Sequence, residues 1–304
     1  MSITLGMIGL GRMGGNMARR LTRAGHAVLA WDRSPEARAG AAQEPGVQDP
    51  GTLEQLVARL PAPRIVWLML PAGAPTQETL ARLVPLLATG DVVIDGGNAM
   101  YKDSQRHATE LAAHGIHFVD AGVSGGVWGL ENGYGLMVGG DASAVRVIEP
   151  VLRSLAPAPD RGWVHCGPAG SGHFTKMVHN GIEYGMMQAY AEGLALMQAK
   201  TEMQLDLPRI TEAWRHGTVI RSWLLDLTAE FLAQDATLES IAPFVADSGE
   251  GRWTALESIE LGVPTPIMTL ALMERFGSQG KDDYTQRLLA RMRLAFGGHA
   301  VKSA

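Results

Sequence analysis

The sequence predicts an α/β chain in two parts, a doubly wound, mostly parallel sheet followed by an all-helical region. Apolar runs of strand length alternate with helical patterns up to about residue 166, the rhythm of parallel strands joined by crossover helices. A glycine-rich loop separates the first strand from the first helix. After Gly167 the strand-like runs stop and long helical patterns continue to the end. Residues 1–166 are therefore read as one domain and residues 167–304 as a second.

In chain order, Ile3–Ile8 is a buried strand, Met13–Ala24 a helix and Val28–Trp31 a second strand, which completes a βαβ unit. Strands follow at Ile65–Leu70, Val92–Ile94 and His117–Val119, separated by helices at Pro75–Leu87 and Tyr101–His114. Leu136–Val138, the helix Ala142–Leu155 and Trp163–His165 extend the same sheet. Beyond the loop Gly167-Pro-Ala-Gly-Ser-Gly172, helical patterns occupy Phe174–Lys200 and the chain from Leu207 onward.

Hydrophobic residues make up 46% of the 304 and charged residues 19%, a composition that excludes a disordered chain. The 26 Lys and Arg against 31 Asp and Glu leave a net charge of −5. That balance lacks the basic surplus of a nucleic-acid or anionic-lipid binder, and neither partner is expected. One cysteine, Cys166, forbids an intrachain disulfide and a multi-cysteine zinc site, and is read as a small buried residue in a reducing compartment. No run reaches the ~18 apolar residues of a membrane span, and the chain enters its first strand without a secretory leader; a soluble, cytoplasmic protein is expected. Glycine is the anomaly, because its 37 residues fall in short clusters without a G-X-Y period.

The first cluster, Gly9-Leu10-Gly11-Arg12-Met13-Gly14, stands where strand gives way to helix. Its GxGxxG spacing permits a tight turn, lets the backbone approach a pyrophosphate and lets the helix pack on the strand, while the helix N-terminus offers free N–H groups. Alone, the pattern is equally a glycine-rich turn. The βαβ context, with Asp32 at the end of the second strand, makes it a Rossmann-like dinucleotide site. Asp32 suits the ribose hydroxyls and would repel a 2′-phosphate, so NAD is expected over NADP. Arg33 either stacks near the adenine or pairs with such a phosphate, which leaves room for some NADP use.

The helix after residue 172 carries Lys176, Asn180 and Glu183. At about 100° per residue, Asn180 lies about 40° and Glu183 about 20° from Lys176, one polar stripe two turns long. A solvated face with an ion pair is the plain alternative. Met177, Val178, Ile182, Met186 and Met187 fill the remaining circumference and predict a largely buried helix, where Lys and Glu need a purpose such as base and acid. Asp95-Gly-Gly-Asn98 and Asp120-Ala-Gly-Val-Ser124-Gly125-Gly126 each follow a strand at the sheet edge where ligands collect. Ser124 and its neighbouring N–H groups suit a carboxylate and Asn98 supplies an amide donor, a plain turn being the alternative for each. His107, His114 and His117 lack companion carboxylates of metal-ligand type, are read as surface or satisfied histidines, and no metal is expected.

Together these stretches resemble the 6-phosphogluconate dehydrogenases of the β-hydroxyacid dehydrogenase superfamily. The resemblance is carried by Ile94-Asp-Gly-Gly-Asn98 with Tyr101-Lys102-Asp103, by Val123-Ser-Gly-Gly126, and most specifically by Lys176-Met-Val-His-Asn-Gly-Ile-Glu-Tyr-Gly185. Gly251-Arg-Trp-Thr254, Glu260-Leu-Gly-Val-Pro264 and Phe296-Gly-Gly-His299 extend it along nearly the whole chain, whose length is similar to the short, often NAD-linked branch. The resemblance implies Lys176 as base, Glu183 as acid and Asn180 beside them. It puts Asn98, Ser124, Gly125, Gly126, His179, Asn180, Tyr184, Arg275, Arg293 and His299 on the phosphorylated sugar acid, and adds Ala72 and Asn98 to the cofactor residues. Ser248 departs from the family, whose long members have a lysine in that run; Arg252 is a substitute for the missing phosphate contact. Asp32-Arg-Ser34 in place of Asn-Arg-Thr supports NAD.

The implied reaction is oxidative decarboxylation of 6-phosphogluconate to ribulose 5-phosphate and carbon dioxide with reduction of NAD, in gluconate utilization and the pentose phosphate pathway. A homodimer or homotetramer with shared active sites is implied as well, the C-terminal tail crossing to a neighbour. Two rivals stand beside this reading. A dehydrogenase of a small β-hydroxy acid such as 3-hydroxyisobutyrate would share the loop, Ser124–Gly126 and the lysine without needing His179-Asn180, Glu183-Tyr184, Arg275, Arg293 and His299 together. A non-catalytic NAD sensor would not need Lys176 and Glu183 in register.

Overall fold

The computed structural model describes residues 2–297 and 300–302. Its first part contains β1 (Thr4–Ile8), α1 (Arg12–Arg23), β2 (Ala27–Trp31), α2 (Pro35–Ala41), β3 (Val47–Gln48), α3 (Leu53–Arg59), β4 (Ile65–Leu68), α4 (Ala74–Leu83), β5 (Val92–Asp95), α5 (Tyr101–Ala112), β6 (His117–Ser124), α6 (Gly129–Asn132), β7 (Gly135–Gly140), α7 (Ala142–Leu155) and β8 (Trp163–Gly167). The strands form one sheet in the order β3-β2-β1-β4-β5-β6-β7-β8. Every neighbouring pair is parallel except β6 and β7. The link between those two holds only a 3-10 turn and the short α6, less than the crossover of roughly a dozen residues that a parallel pair requires.

Alternation along the strands sorts the core into two faces. Leu5, Met7, Val28, Ala30, Trp67, Val92 and Ile94 point to one side, where Met17 and Leu21 of α1 and Ile148, Val151 and Leu152 of α7 cover them. Ile8, Leu29, Val66, Leu68 and Val93 point to the other, against Leu53, Leu56 and Val57 of α3, Leu80 and Leu83 of α4, and Leu111 of α5. Strand order reverses between β1 and β4, and the loops after β1, β4, β5 and β6 leave the sheet along a single edge.

The second part is helical: α8 (Ser171–Ala199), α9 (Leu207–Trp214), α10 (Trp223–Gln234), α11 (Glu250–Leu261), α12 (Pro266–Ser278) and α13 (Asp283–Gly297). Contacts divide the chain into Met1–Met177 and Val178–Ala304. The first turns of α8 belong to the earlier unit because Gly139 and Gly172 let helix and sheet backbones touch: a Cβ on Gly172 would lie 2.5 Å from the Met137 carbonyl and 2.6 Å from that of Asp120. Among the described residues no helix is long and apolar enough to cross a membrane.

The structure departs from the sequence reading at several points. It adds α2, β3 and α3: α2 and β3 are short and carry little periodicity, whereas α3 has Leu53, Leu56 and Val57 at helical spacing, a signal the sequence reading missed. Pro85 ends α4 early and leaves a 3-10 turn at Val84–Leu86. Cys166 is half-buried, because β8 is an edge strand. His107 is neither a surface nor a satisfied histidine: it is buried against the ring of Phe118, and neither ring nitrogen has a hydrogen-bond partner among the described residues. Burial and the Arg106 charge hold its pKa below the usual histidine value. The expectation of a largely buried α8 fails at Ile182, Met186 and Met187, which are 52%, 38% and 41% exposed, because no other segment among the described residues covers that side.

Candidate active site

At the glycine loop, each glycine answers a different constraint. Gly9 has φ +93°, a conformation that favours glycine, and its Cβ position lies 2.9 Å from the Met69 carbonyl carbon. A Cβ on Gly14 would be 3.0 Å from that of Met69, where α1 crosses the sheet. At Gly11, the N-cap of α1, a Cβ would meet nothing within 4 Å. The backbone there is open to an outside group, which fits the pyrophosphate of a dinucleotide lying against the free N–H groups of the helix.

Asp32 follows β2 and is tied to the same loop. The Leu10 N–H donates to its Oδ2 at 2.8 Å, and the Ser34 N–H to its Oδ1 at 2.9 Å. Each oxygen keeps a second lone pair for a ribose hydroxyl. Arg33 is exposed, and Ala72 is exposed in the loop after β4. Arg12 is exposed and Met13 partly buried at the start of α1. The residues present therefore fit NAD.

Asn98 is exposed beyond β5, and Ser124, Gly125 and Gly126 close β6 with φ of +129° and +53° at the two glycines. Tyr134 fills the space beneath this turn; a Cβ on Gly125 would lie 3.3 Å from its Cδ1. Burial pushes the Tyr134 phenol up to about 12, so it remains a neutral packing group. Lys176 lies on α8 against β6, where Gly122 makes room for it. A Cβ on Gly122 would meet Lys176 Cγ at 2.9 Å, the Gly172 carbonyl at 3.1 Å and, closer still, Lys176 Cβ.

Asp120 holds the start of α8. Fully buried on β6, it accepts the Gly170 N–H at 2.7 Å on Oδ1 and the His173 N–H at 2.7 Å on Oδ2. A carboxylate at a helix N-terminus satisfies two otherwise orphaned donors and complements the helix dipole. The sequence reading quoted Asp120 only as the opening of a glycine cluster; an acid inside the otherwise apolar run Phe118–Val123 is the signal that marks it.

Further along α8, Asn180 and Glu183 each lie near His179, and Asn180 reaches α11. His179 Nδ1 is 3.0 Å from Asn180 Oδ1 and 3.9 Å from Glu183 Oε2, and Asn180 Nδ2 donates to Glu250 Oε1 at 2.7 Å. His179 and Glu183 are both partly exposed, with side-chain exposures of 39% and 40%. Arg275 lies over the ring of Tyr184 at 3.4 Å and donates to the Ala246 carbonyl at 2.9 Å, while the Tyr184 hydroxyl is 3.3 Å from Ser248 Oγ. Gly181 and Gly251 permit this crossing of α8 and α11, a Cβ on Gly251 falling 2.5 Å from Tyr184 Cε2. Arg252 is held by an ion pair with Asp247 and lies over Phe276 at 4.6 Å. Burial pushes the Asp247 carboxyl up, but hydrogen bonds from Arg252 and the Gly249 N–H, with the charges of Arg252 and Arg275, bring it below the ordinary carboxylate range. Glu250 and Asp247 were missed in sequence, where nothing distinguishes them from surface acids.

Arg293 is exposed on α13, and His299 lies outside the described residues.

The sheet order, the open glycine loop and its acidic partner define a dinucleotide-binding oxidoreductase fold with a helical second half. The chain belongs to the 6-phosphogluconate dehydrogenase family: residues 4–167 match the NAD binding domain of 6-phosphogluconate dehydrogenase, and residues 172–299 its C-terminal domain. It is 44% identical to the NAD(+)-dependent, decarboxylating 6-phosphogluconate dehydrogenase of Haloferax volcanii, covering 98% of each chain. Against the decarboxylating enzyme of Bacillus licheniformis it is 36% identical over 93% of its own length and 63% of the relative's. The solved 6-phosphogluconate dehydrogenase of Plasmodium falciparum superimposes with a TM-score of 0.84 at 30% identity, over 99% of this chain and 66% of that one. The 3-hydroxyisobutyrate dehydrogenase of Mycobacterium tuberculosis shares the fold, with a TM-score of 0.73 at 24% identity.

Proposed function

We infer that this chain oxidises and decarboxylates 6-phosphogluconate to ribulose 5-phosphate and carbon dioxide with NAD as acceptor. The observation that carries the reading is the end-to-end similarity to an NAD(+)-dependent relative, joined to the single helix bearing Lys176, Asn180 and Glu183. Bound NAD supplies the hydride acceptor, with Gly9, Gly11, Gly14 and Asp32 as its holding residues. Lys176 takes the proton of the carbon 3 hydroxyl as hydride leaves that carbon. Its ammonium form and Asn180 then stabilise the oxygen on carbon 3 as carbon dioxide departs, and Glu183 gives a proton to the carbon that lost the carboxylate, carbon 2 of the substrate and carbon 1 of ribulose 5-phosphate. Asn98 and Ser124–Gly126 hold the sugar acid, and His179, Tyr184, Arg275, Arg293 and His299 complete its recognition.

The assignment of residues 1–166 to the cofactor and 167–304 to substrate and assembly follows the same reading. So does a cytoplasmic homodimer or homotetramer with shared sites. The apolar side chains left exposed on α8, α11 and α12, among them Ile182, Leu256, Ile259, Ile267 and Leu270, support association. The test is NADH and NADPH formation with 6-phosphogluconate, gluconate and 3-hydroxyisobutyrate side by side. NAD-linked turnover of 6-phosphogluconate alone, abolished by Lys176→Met, is the expected result; preference for 3-hydroxyisobutyrate, or a fully active Lys176→Met variant, overturns it.

A further inference from the structure

A buried polar group behind the loops of the first unit has no part in the chemistry above. Asp95 ends β5, is 1% exposed, and accepts the Gly97 N–H on Oδ1 at 3.0 Å, which shapes the turn leading to Asn98. Ser104 on α5 is fully buried, and its hydroxyl is 2.7 Å from Nδ1 of the buried His173. His173 lies in the first turn of α8, one turn before Lys176, with its backbone N–H on Asp120. Asp95 Oδ2 and His173 Nε2 are both buried without a hydrogen-bond partner among the described residues. Apolar side chains in these places would avoid the cost of burying polar atoms without partners.

We propose that Asp95, Ser104 and His173 are positioning residues, a buried unit that holds the Asn98 turn and the Lys176 turn of α8 in one arrangement. Two bonds carry the argument. Asp95 determines where the Gly97 amide, and with it Asn98, leaves the sheet. Ser104 fixes the ring of His173 and so the rotation of α8 from α5, while Asp120 fixes its height from β6. Lys176, three residues on, inherits both constraints. The carboxyl of Asp95 is pushed up by burial, against the pull of His173, the Gly97 N–H and His107 and with the push of Asp120. What the Gly97 turn uses is an acceptor at Oδ1.

The inference rests on the proposed reaction for its kinetic readout, and a second readout is independent of it. Ser104→Ala should lower kcat for 6-phosphogluconate by about 10–100-fold, the scale of a misplacement near 1 Å, with KM for NAD within about twofold. Asp95→Leu, which removes the acceptor, should do the same. Asp95→Asn keeps the acceptor and should stay within about threefold of the parent. Without substrate, the rate of Lys176 acetylation by acetic anhydride and the hydrogen-exchange protection of the His173–Lys176 amides should change in Ser104→Ala and remain in Asp95→Asn. Cooperatively folded Ser104→Ala with unchanged kcat, acetylation and protection overturns the proposal, as does an Asp95→Asn variant no better than Asp95→Leu. If the parent protein does not turn over 6-phosphogluconate, the reaction fails while the acetylation and exchange results still decide the positioning role.

Discussion

Gly122→Ala offers the sharpest test of how the sheet sets Lys176. A Cβ there would lie 2.9 Å from Lys176 Cγ, short of an ordinary carbon–carbon contact of about 3.5–4.0 Å by about 0.6–1.1 Å, and it would sit closer still to Lys176 Cβ. The position of the Lys176 Cβ is fixed by the helix backbone and no side-chain rotation moves it, so α8 must move from β6 by about 1 Å. Gly172, whose own Cβ position is 2.5 Å from the Met137 carbonyl, leaves no slack on the neighbouring turn. Overpacking of this kind costs roughly 1–3 kcal/mol in stability. A shift near 1 Å in a reacting group costs about 100-fold in rate. Steady-state kinetics with 6-phosphogluconate, a thermal melt and NAD titration on the same preparation separate the two effects. The expected result is kcat down about 100-fold, a melting temperature lower by a few degrees, and NAD affinity within about twofold. A folded Gly122→Ala variant with kcat within threefold of the parent would refute the claim that this contact sets the lysine.

Asp32→Asn should weaken NAD by about 10–100-fold, the loss of charge-assisted hydrogen bonds of about 1.5–3 kcal/mol, and shift preference toward NADP; comparison of kcat/KM for the two cofactors checks it. Asp95→Asn should stabilise the chain at neutral pH. Its parent carboxyl has a raised folded pKa, so the contribution to stability is full below the unfolded value of about 3.9 and falls as pH rises through the folded value. Denaturant midpoints should show the gap between variant and parent widening from pH 4 upward, and a constant gap would contradict the sign. Arg293→Ala should raise KM for 6-phosphogluconate far more than KM for NAD. Mixing those subunits with Lys176→Met subunits should recover part of the activity through intact hybrid sites; proven hybrids without recovery, or a fully active monomer, would exclude shared sites.

Local chemistry made much of this protein legible before any contact was known. Strands such as Thr4–Ile8 and Val92–Asp95 declare themselves by continuous apolar runs, because a parallel sheet is buried on both faces. The loop Gly9–Gly14 and Asp32 are read together because both belong to one βαβ unit, and the spacing of Lys176, Asn180 and Glu183 is a property of the helix alone. What tertiary structure decided lies between segments far apart in sequence. Asp120 becomes the anchor of α8 only when Gly170 and His173, 50 and 53 residues away, deliver their N–H groups. Asn180 turns to Glu250, 70 residues on, and Arg275 stacks on Tyr184. Each of these side chains carries charge or polarity into a buried or half-buried place, where it is stable only if a distant partner arrives. No local pattern reports that partner, since periodicity records which face of an element is apolar and not what lies across from it. The exposed apolar side of α8 follows the same logic, as its periodicity predicts a covered face and the described residues leave it open.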